Sequence, residues 1–217
     1  MERPVLDRKV FPEPSGGGEE ALTGFAGEVR DIYRSFLAEV EAFHRAGGGG
    51  LDVSRACSDA VDAVVIHLSR SLLSRSETPA ARAPALVALG GYGRRELSPA
   101  SDVDLLFVPV RAGDGAAGFT GRLVRLMWDA GLRLGHSVRT IAELRKAIRR
   151  DLDLRTAVLD ARLVRGNEEV RARLAALRSE VLSRDRGGFL AAKLDEARRR
   201  WEKYGGSYHL IAVSYTH

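Results

Sequence analysis

The sequence predicts an α+β fold in which a small sheet sits between helical arms. Three observations carry that expectation. Apolar residues recur at helical spacing before position 75, two short apolar runs follow between 85 and 110, and helical patterning returns beyond 141.

Taken in order, residues 1–18 are rich in proline, glycine and charge, and read as a flexible tail. From 19 to 46, Phe25, Val29, Ile32, Tyr33, Phe36, Leu37, Val40 and Phe43 mark one face of a helix. The run "GGGG" at 47–50 stops it. A second amphipathic helix is predicted over 52–74, with Val61, Val64, Val65, Leu68 and Leu72 on its apolar side. The segment "SRSETPAARAP" is a loop. "ALVALGG" (85–91) suits a buried strand ended by two glycines, and "VDLLFVPV" (103–110) a second strand closed by Pro109 and the loop "RAGDGAAG". "FTGRLVRLMWDAGL" (119–132) reads as a helix with Trp128 in the core, and "GHSVRT" (135–140) as a third strand. Beyond Ile141 everything reads as helix, over 141–149, 152–165, 168–183 and 188–204. The expected division is a tail (1–18), an N-terminal helical segment (19–78), a core (79–150) and a C-terminal helical segment (151–217).

Composition narrows the class. The 217 residues are 45% hydrophobic and 29% charged, which fits a soluble globular chain and argues against a disordered one. No apolar stretch approaches the ~20 residues of a membrane span, and the N-terminus lacks the apolar core of a signal peptide. The single Cys57 cannot form an internal disulfide, so the expected compartment is the cytoplasm. Net charge is +5 with pI ≈ 9.7, which raises nucleic acid as a partner. Lysine stands only at Lys9, Lys146, Lys193 and Lys203, so arginine supplies the rest of the 34 basic residues. Clusters such as Arg198–Arg199–Arg200 in "LDEARRRWEK" read as i,i+4 pairing on a solvated helix, and nucleic acid is not the expected partner.

The chemistry concentrates in "GGYGRRELSPASDVDLLF", 90–107. Residues i and i+2 of a strand share a face, so Asp102 and Asp104 are expected to project together at the start of a buried strand. Two desolvated carboxylates on one face repel. A divalent cation removes that penalty, and Mg²⁺ takes one or two protein carboxylates and leaves its other positions to water and substrate phosphates. That suits phosphoryl or nucleotidyl transfer. Gly90 and Gly91, without Cβ atoms, let backbone N–H groups approach an anion. Arg94 is placed for a charge-assisted contact to phosphate. Ser101 opens the Ser-Asp-x-Asp pattern and joins Gly90, Gly91 and Arg94 as a nucleotide-binding candidate.

These residues resemble the nucleotidyltransferase signature of bacterial PII uridylyltransferases, the bifunctional uridylyltransferase/uridylyl-removing enzymes of nitrogen signalling. "MWDAGLRLGHSVRTIAE" and "DLDLRTAVLDARLVRGN" resemble the stretches that follow, so three blocks match in order between 86 and 204. The resemblance implies the DNA polymerase β-like superfamily, with a small mixed sheet and helices on one side. It implies that Gly90 and Gly91 hold the triphosphate of UTP and that Asp102 and Asp104 bind Mg²⁺. It further implies that UMP passes to a tyrosine of the PII signal protein, without a covalent enzyme intermediate. A catalytically weak nucleotide-binding regulatory module and a nucleic-acid nucleotidyltransferase are the alternatives.

The chain departs from the family pattern in several places. Arg95 stands where the family more often has glycine. The superfamily often adds a third carboxylate from a later strand, yet "GHSVRT" offers none, which leaves Ser137 at that place or the ligand missing. Asp151, Asp153 and Asp160 read as surface or capping residues. His136 is expected to be packed rather than to touch a nucleotide, while Arg139 is open between phosphate and a local acid. His44, His67, His136, His209 and His217 lack metal-ligand spacing, and no His-Asp dipeptide occurs. The chain therefore reads as a transferase-domain fragment without uridylyl-removing or glutamine-sensing parts.

Overall fold

A computed structural model of the chain describes residues 2–7, 10–16, 18–76, 79, 83–109, 116–183 and 185–206. The readings made for 207–217, His209 and His217 included, and for 110–115 lie outside the described residues. The helical stripes form α1 (Glu19–Arg45) and α2 (Gly50–Leu73), and the two apolar runs form β1 (Ala85–Ala88) and β2 (Val103–Val108). Between them, α3 (Gly90–Gly93) is one turn that begins at the glycine pair itself. Then come α4 (Ala116–Asp129), β3 (Leu134–Val138), α5 (Ile141–Ala147), α6 (Leu152–Leu159), β4 (Arg162–Arg165), α7 (Glu168–Ser183) and α8 (Arg186–Lys203).

The strands lie in the order β3-β2-β1-β4. β1 runs antiparallel to β2 and β4, while β3 runs parallel to β2, so the sheet is mixed and the fold α+β. This agrees with the polymerase β-like architecture. Both faces are covered, however, and not one. Leu86, Ala88, Val103, Leu105 and Phe107 pack with α1, α2 and α4, whereas Ala85, Val87, Leu106 and Val108 pack with α5, α6 and α7. The cause is the near-continuous apolar character of β1 and β2, which leaves no face for water.

Two further expectations are corrected. Residues 162–165 form a strand and not the end of a helix: α6 stops at Leu159, and β4 pairs with the otherwise open edge of β1. Leu163 and Val164 then face opposite cores, two apolar residues being too few to reveal a period of two. Trp128 is 53% exposed instead of buried. The buried stripe of α4 is Phe119, Leu123, Val124, Leu126, Met127 and Ala130, and Trp128 lies about 100° round from Met127. Its indole meets the edge of His136 at 6.0 Å.

Local chemistry fixes several ends. Thr140 and Glu143 make a reciprocal capping box at α5, and the Asp151 carboxylate accepts from the Leu154 N–H at 2.9 Å to cap α6. In the segment read as a tail, Phe11 is buried and stacks on His67, whose Nε2 lies 2.8 Å from the Pro12 carbonyl oxygen. None of the described helices is long and apolar enough to cross a membrane.

Candidate active site

The β1–β2 ladder brings the glycine turn and the aspartates together. The Leu89 N–H donates to the Asp104 carbonyl at 3.0 Å, so α3 starts beside the first turn of chain in β2. Gly90 adopts φ 55°, a left-handed conformation that favours glycine. A methyl placed on Gly90 would stand 3.4 Å from Asp104 Oδ2, and one on Gly135 of β3 would stand 2.8 Å from Oδ1. The Asp104 carboxylate therefore occupies a gap that two glycines, one on each side, keep clear. Among the described residues it has no hydrogen-bond or ion-pair partner. Burial, and then the charge of Asp102, push its carboxyl above the ordinary aspartate value.

Asp102 sits just before β2, exposed, with Arg133 Nε at 3.6 Å from its Oδ1. Ser101 is exposed in the preceding bend and donates its N–H to the Ser98 carbonyl at 3.0 Å. Gly91 stands within the turn, where a Cβ would come 3.3 Å from the Glu96 carbonyl oxygen. Arg94 closes α3 but its guanidinium is ion-paired with Glu96 at 3.0 Å and with Asp160. Arg95 adopts φ 60°, which costs a non-glycine residue on the order of 1–2 kcal/mol. A glycine at this place would remove that cost. The Arg95 guanidinium reaches Asp59 at 2.9 Å.

On β3, Gly135 is in register with Asp104, and His136 with Leu105. Paired residues share a face, so His136 points away from the Asp104 side and sets its ring edge against Phe107 at 6.2 Å. Ser137 shares the Asp104 face one pleat further along. No group of three or more metal-ligating acids, histidines or cysteines occurs among the described residues. Two carboxylates, one of them unpartnered and raised in its gap, still fit a hard cation that keeps its remaining positions for water and phosphate.

Sequence reasoning missed the support behind the turn. Asp62 of α2 is only 5% exposed, and Arg162 of β4 donates to both its oxygens, at 2.7 and 3.0 Å. The Tyr92 hydroxyl, 1% exposed, donates to Asp62 Oδ1 at 2.6 Å. Burial and the Asp62 charge push the Tyr92 phenol well above its ordinary value. The one legible signal was an acid inside the apolar run of α2, between Val61 and Val64. Gly135, a glycine inside a strand, was a second.

Beyond α3 lies a cavity of about 480 Å³ whose wall carries Arg94, Arg162, Arg171 and Arg178. Each has a protein partner: Glu96 and Asp160 for Arg94, Asp62 for Arg162, Glu168 for Arg171, and the Ala161 carbonyl, at 2.5 Å, for Arg178. Arg178 Nε is nevertheless buried without a hydrogen-bond partner among the described residues.

No protein-family model matches the chain. Curated relatives do, three of them as follows. A bifunctional uridylyltransferase/uridylyl-removing enzyme of Phenylobacterium zucineum is 37% identical over 175 residues, 76% of this chain and 18% of the relative. That of Caulobacter vibrioides is 34% identical with the same coverage. That of Gluconobacter oxydans is 31% identical over 97% of this chain and 24% of its own length. The chain thus spans about a fifth of the length of these relatives, and over that span it is similar to the bifunctional uridylyltransferase/uridylyl-removing enzymes.

Proposed function

We propose that the chain is a Mg²⁺-dependent nucleotidyltransferase that transfers UMP from UTP to a tyrosine hydroxyl of the PII signal protein. The observation that carries this is the Asp104 carboxylate, unpartnered among the described residues and pushed above the ordinary aspartate pKa, in the gap between Gly90 and Gly135. Asp104 is open to solvent at its tip, and its repulsion with Asp102 together with the side-chain-free gap around it suits a ligand of opposite charge. Asp102 and Asp104 are the residues to hold Mg²⁺, which when bound neutralises charge on the triphosphate and the departing pyrophosphate. Gly90 and Gly91 give the triphosphate a surface without side chains. Arg94 and Ser101 flank that surface, and Arg94 exchanges an acid partner for phosphate if it takes part.

The reaction balances without a covalent enzyme intermediate. The tyrosine oxygen forms a bond to the α-phosphorus, the bond to the bridging oxygen of pyrophosphate breaks, and the phenolic proton passes to solvent. What the protein supplies is alignment of the acceptor and leaving oxygens, together with charge at the phosphates. The name shared by the relatives supports the uridylyl group as the one moved.

The test is an acceptor comparison. With α-labelled UTP and Mg²⁺, label is expected on PII and absent from RNA ends. Label on RNA alone makes the chain a nucleic-acid nucleotidyltransferase, and UTP binding without transfer to either makes it a binding module.

A further inference from the structure

We infer that Asp62, Tyr92 and Arg162 are positioning residues for the glycine turn, held from helix α2 so that Gly90 stays against Asp104. This rests on the nucleotidyl-transfer reading for its kinetic consequence and on the geometry alone for its structural one.

At the far end of α3 stand two carbonyls, that of Tyr92, which accepts the Arg95 N–H at 3.2 Å, and that of Gly93. Arg162 meets them: its Nη2 donates to the Tyr92 carbonyl at 3.2 Å and its Nε to the Gly93 carbonyl at 3.3 Å. The same guanidinium is fixed by the two-point contact to Asp62, which the Tyr92 hydroxyl also enters. The chain past the turn is tied to the same face of α2. Asp59 takes Arg95, and the Ser58 hydroxyl oxygen accepts the buried Leu97 N–H at 3.1 Å. Ser58 and Asp62 are four residues apart, one above the other on the helix. Gly93 leaves no slack, since a Cβ there would stand 2.2 Å from the Asp160 carbonyl oxygen.

A buried ion pair is weak evidence for stability, because an apolar set of similar volume often serves as well or better. What an apolar set cannot do is hold two carbonyls at fixed positions. The planar fork of arginine does so, and a lysine cannot reach both carbonyls and both carboxylate oxygens at once. The network therefore sets where the turn lies relative to Asp104.

The test separates stability from position. Arg162→Met leaves the buried Asp62 with only the Tyr92 hydroxyl and the Arg95 guanidinium at 3.9 Å, and is expected to melt well below the parent. Asp62→Leu/Arg162→Met removes both charges and is expected to regain most of the lost Tm, short of the parent because the buried Tyr92 hydroxyl loses its acceptor. Its kcat for UMP transfer to PII should nevertheless stay at least about ten-fold down, because displacement of a phosphate-binding turn misaligns the reacting oxygens. Amide exchange at 90–94 should be faster in the double variant, with α1 unchanged. A double variant that recovers both Tm and kcat overturns the inference. Should the double variant remain unstable, Arg162→Lys decides: parent Tm with lowered kcat supports it, parent Tm with parent kcat overturns it. Should the parent transfer no UMP, the transfer reading fails by itself. Exchange at 90–94 then decides the inference, faster exchange upholding it and unchanged exchange overturning it.

Discussion

Helix α2 buries 14 of its 24 residues, whereas α8 buries none of its 18. Both carry charge, and the charge means different things. In α8, Lys193 pairs with Glu196, Arg198 and Arg199 with Asp195, and Arg200 with Glu196, all within one turn of the same helix. Such exposed pairs add a few tenths of a kcal/mol each and specify no neighbour. In α2, Asp62 reaches residues 30 and 100 positions away in sequence. An acid on a solvated helix mostly satisfies itself; an acid on a buried one has to be met by the fold, and here it is met at the glycine turn.

Several experiments break or sharpen that contrast. The largest effect concerns Cys57, buried in α2, whose thiol is pushed up to about 11 by burial. Its alkylation at pH 8 is expected to be at least about a hundred-fold slower in the folded chain than in urea, since the thiolate is the nucleophile. Labelling at the urea rate would mean that α2 opens in the native state. Next, Leu68→Ala in α2 is expected to cost about 2–5 kcal/mol by urea unfolding, a fully buried leucine leaving a cavity. Thr140→Ala at the α5 cap should cost about 1 kcal/mol. Its partner Glu143 has its carboxyl lowered by the Thr140 N–H and hydroxyl. A lowered carboxyl contributes stability above its unfolded value and loses it as pH falls through the folded one, so the Thr140→Ala deficit should shrink toward pH 3. Smallest of all, Leu194→Ala, at a residue 59% exposed in α8, should stay within about 0.5 kcal/mol. A loss as large as that of Leu68→Ala would show α8 to be part of the core.

Metal-free stability sharpens the picture at the site. Asp104 is raised, so its protonated form is favoured in the folded chain, and its ionisation costs stability as pH rises through the folded value. Asp104→Asn is therefore expected to raise Tm in metal-free buffer at pH 7. Mg²⁺ with UTP should raise Tm of the parent and leave the variant unmoved.

What the sequence disclosed follows from the range of each interaction. β1 is an unbroken apolar run, β2 one interrupted only by Asp104, both with glycine or proline beyond an end, and α1 and α2 carry long stripes, so all four are written locally. The approach of Asp104 to the glycine turn was legible because only ten residues lie between Arg94 and Leu105 and the strands must pair across them. β4 was not, since its two apolar residues serve opposite faces and its partner lies about 75 residues upstream in β1. Trp128 was misplaced because hydrophobicity alone does not say which side of a narrow stripe faces inward. The Asp62 network needed three distant elements to meet, and only the fold joins them.

The central claim is that Asp104, kept clear by Gly90 and Gly135, holds the cation that makes UTP reactive. It is tested most directly by label transfer from UTP to PII across a Mg²⁺ titration, parent beside Asp104→Asn. The account predicts Mg²⁺-dependent labelling by the parent and a loss of at least about a hundred-fold in the folded variant, in line with removal of a group that stabilises charge at the reacting centre. Labelling by Asp104→Asn at the parent rate would contradict it.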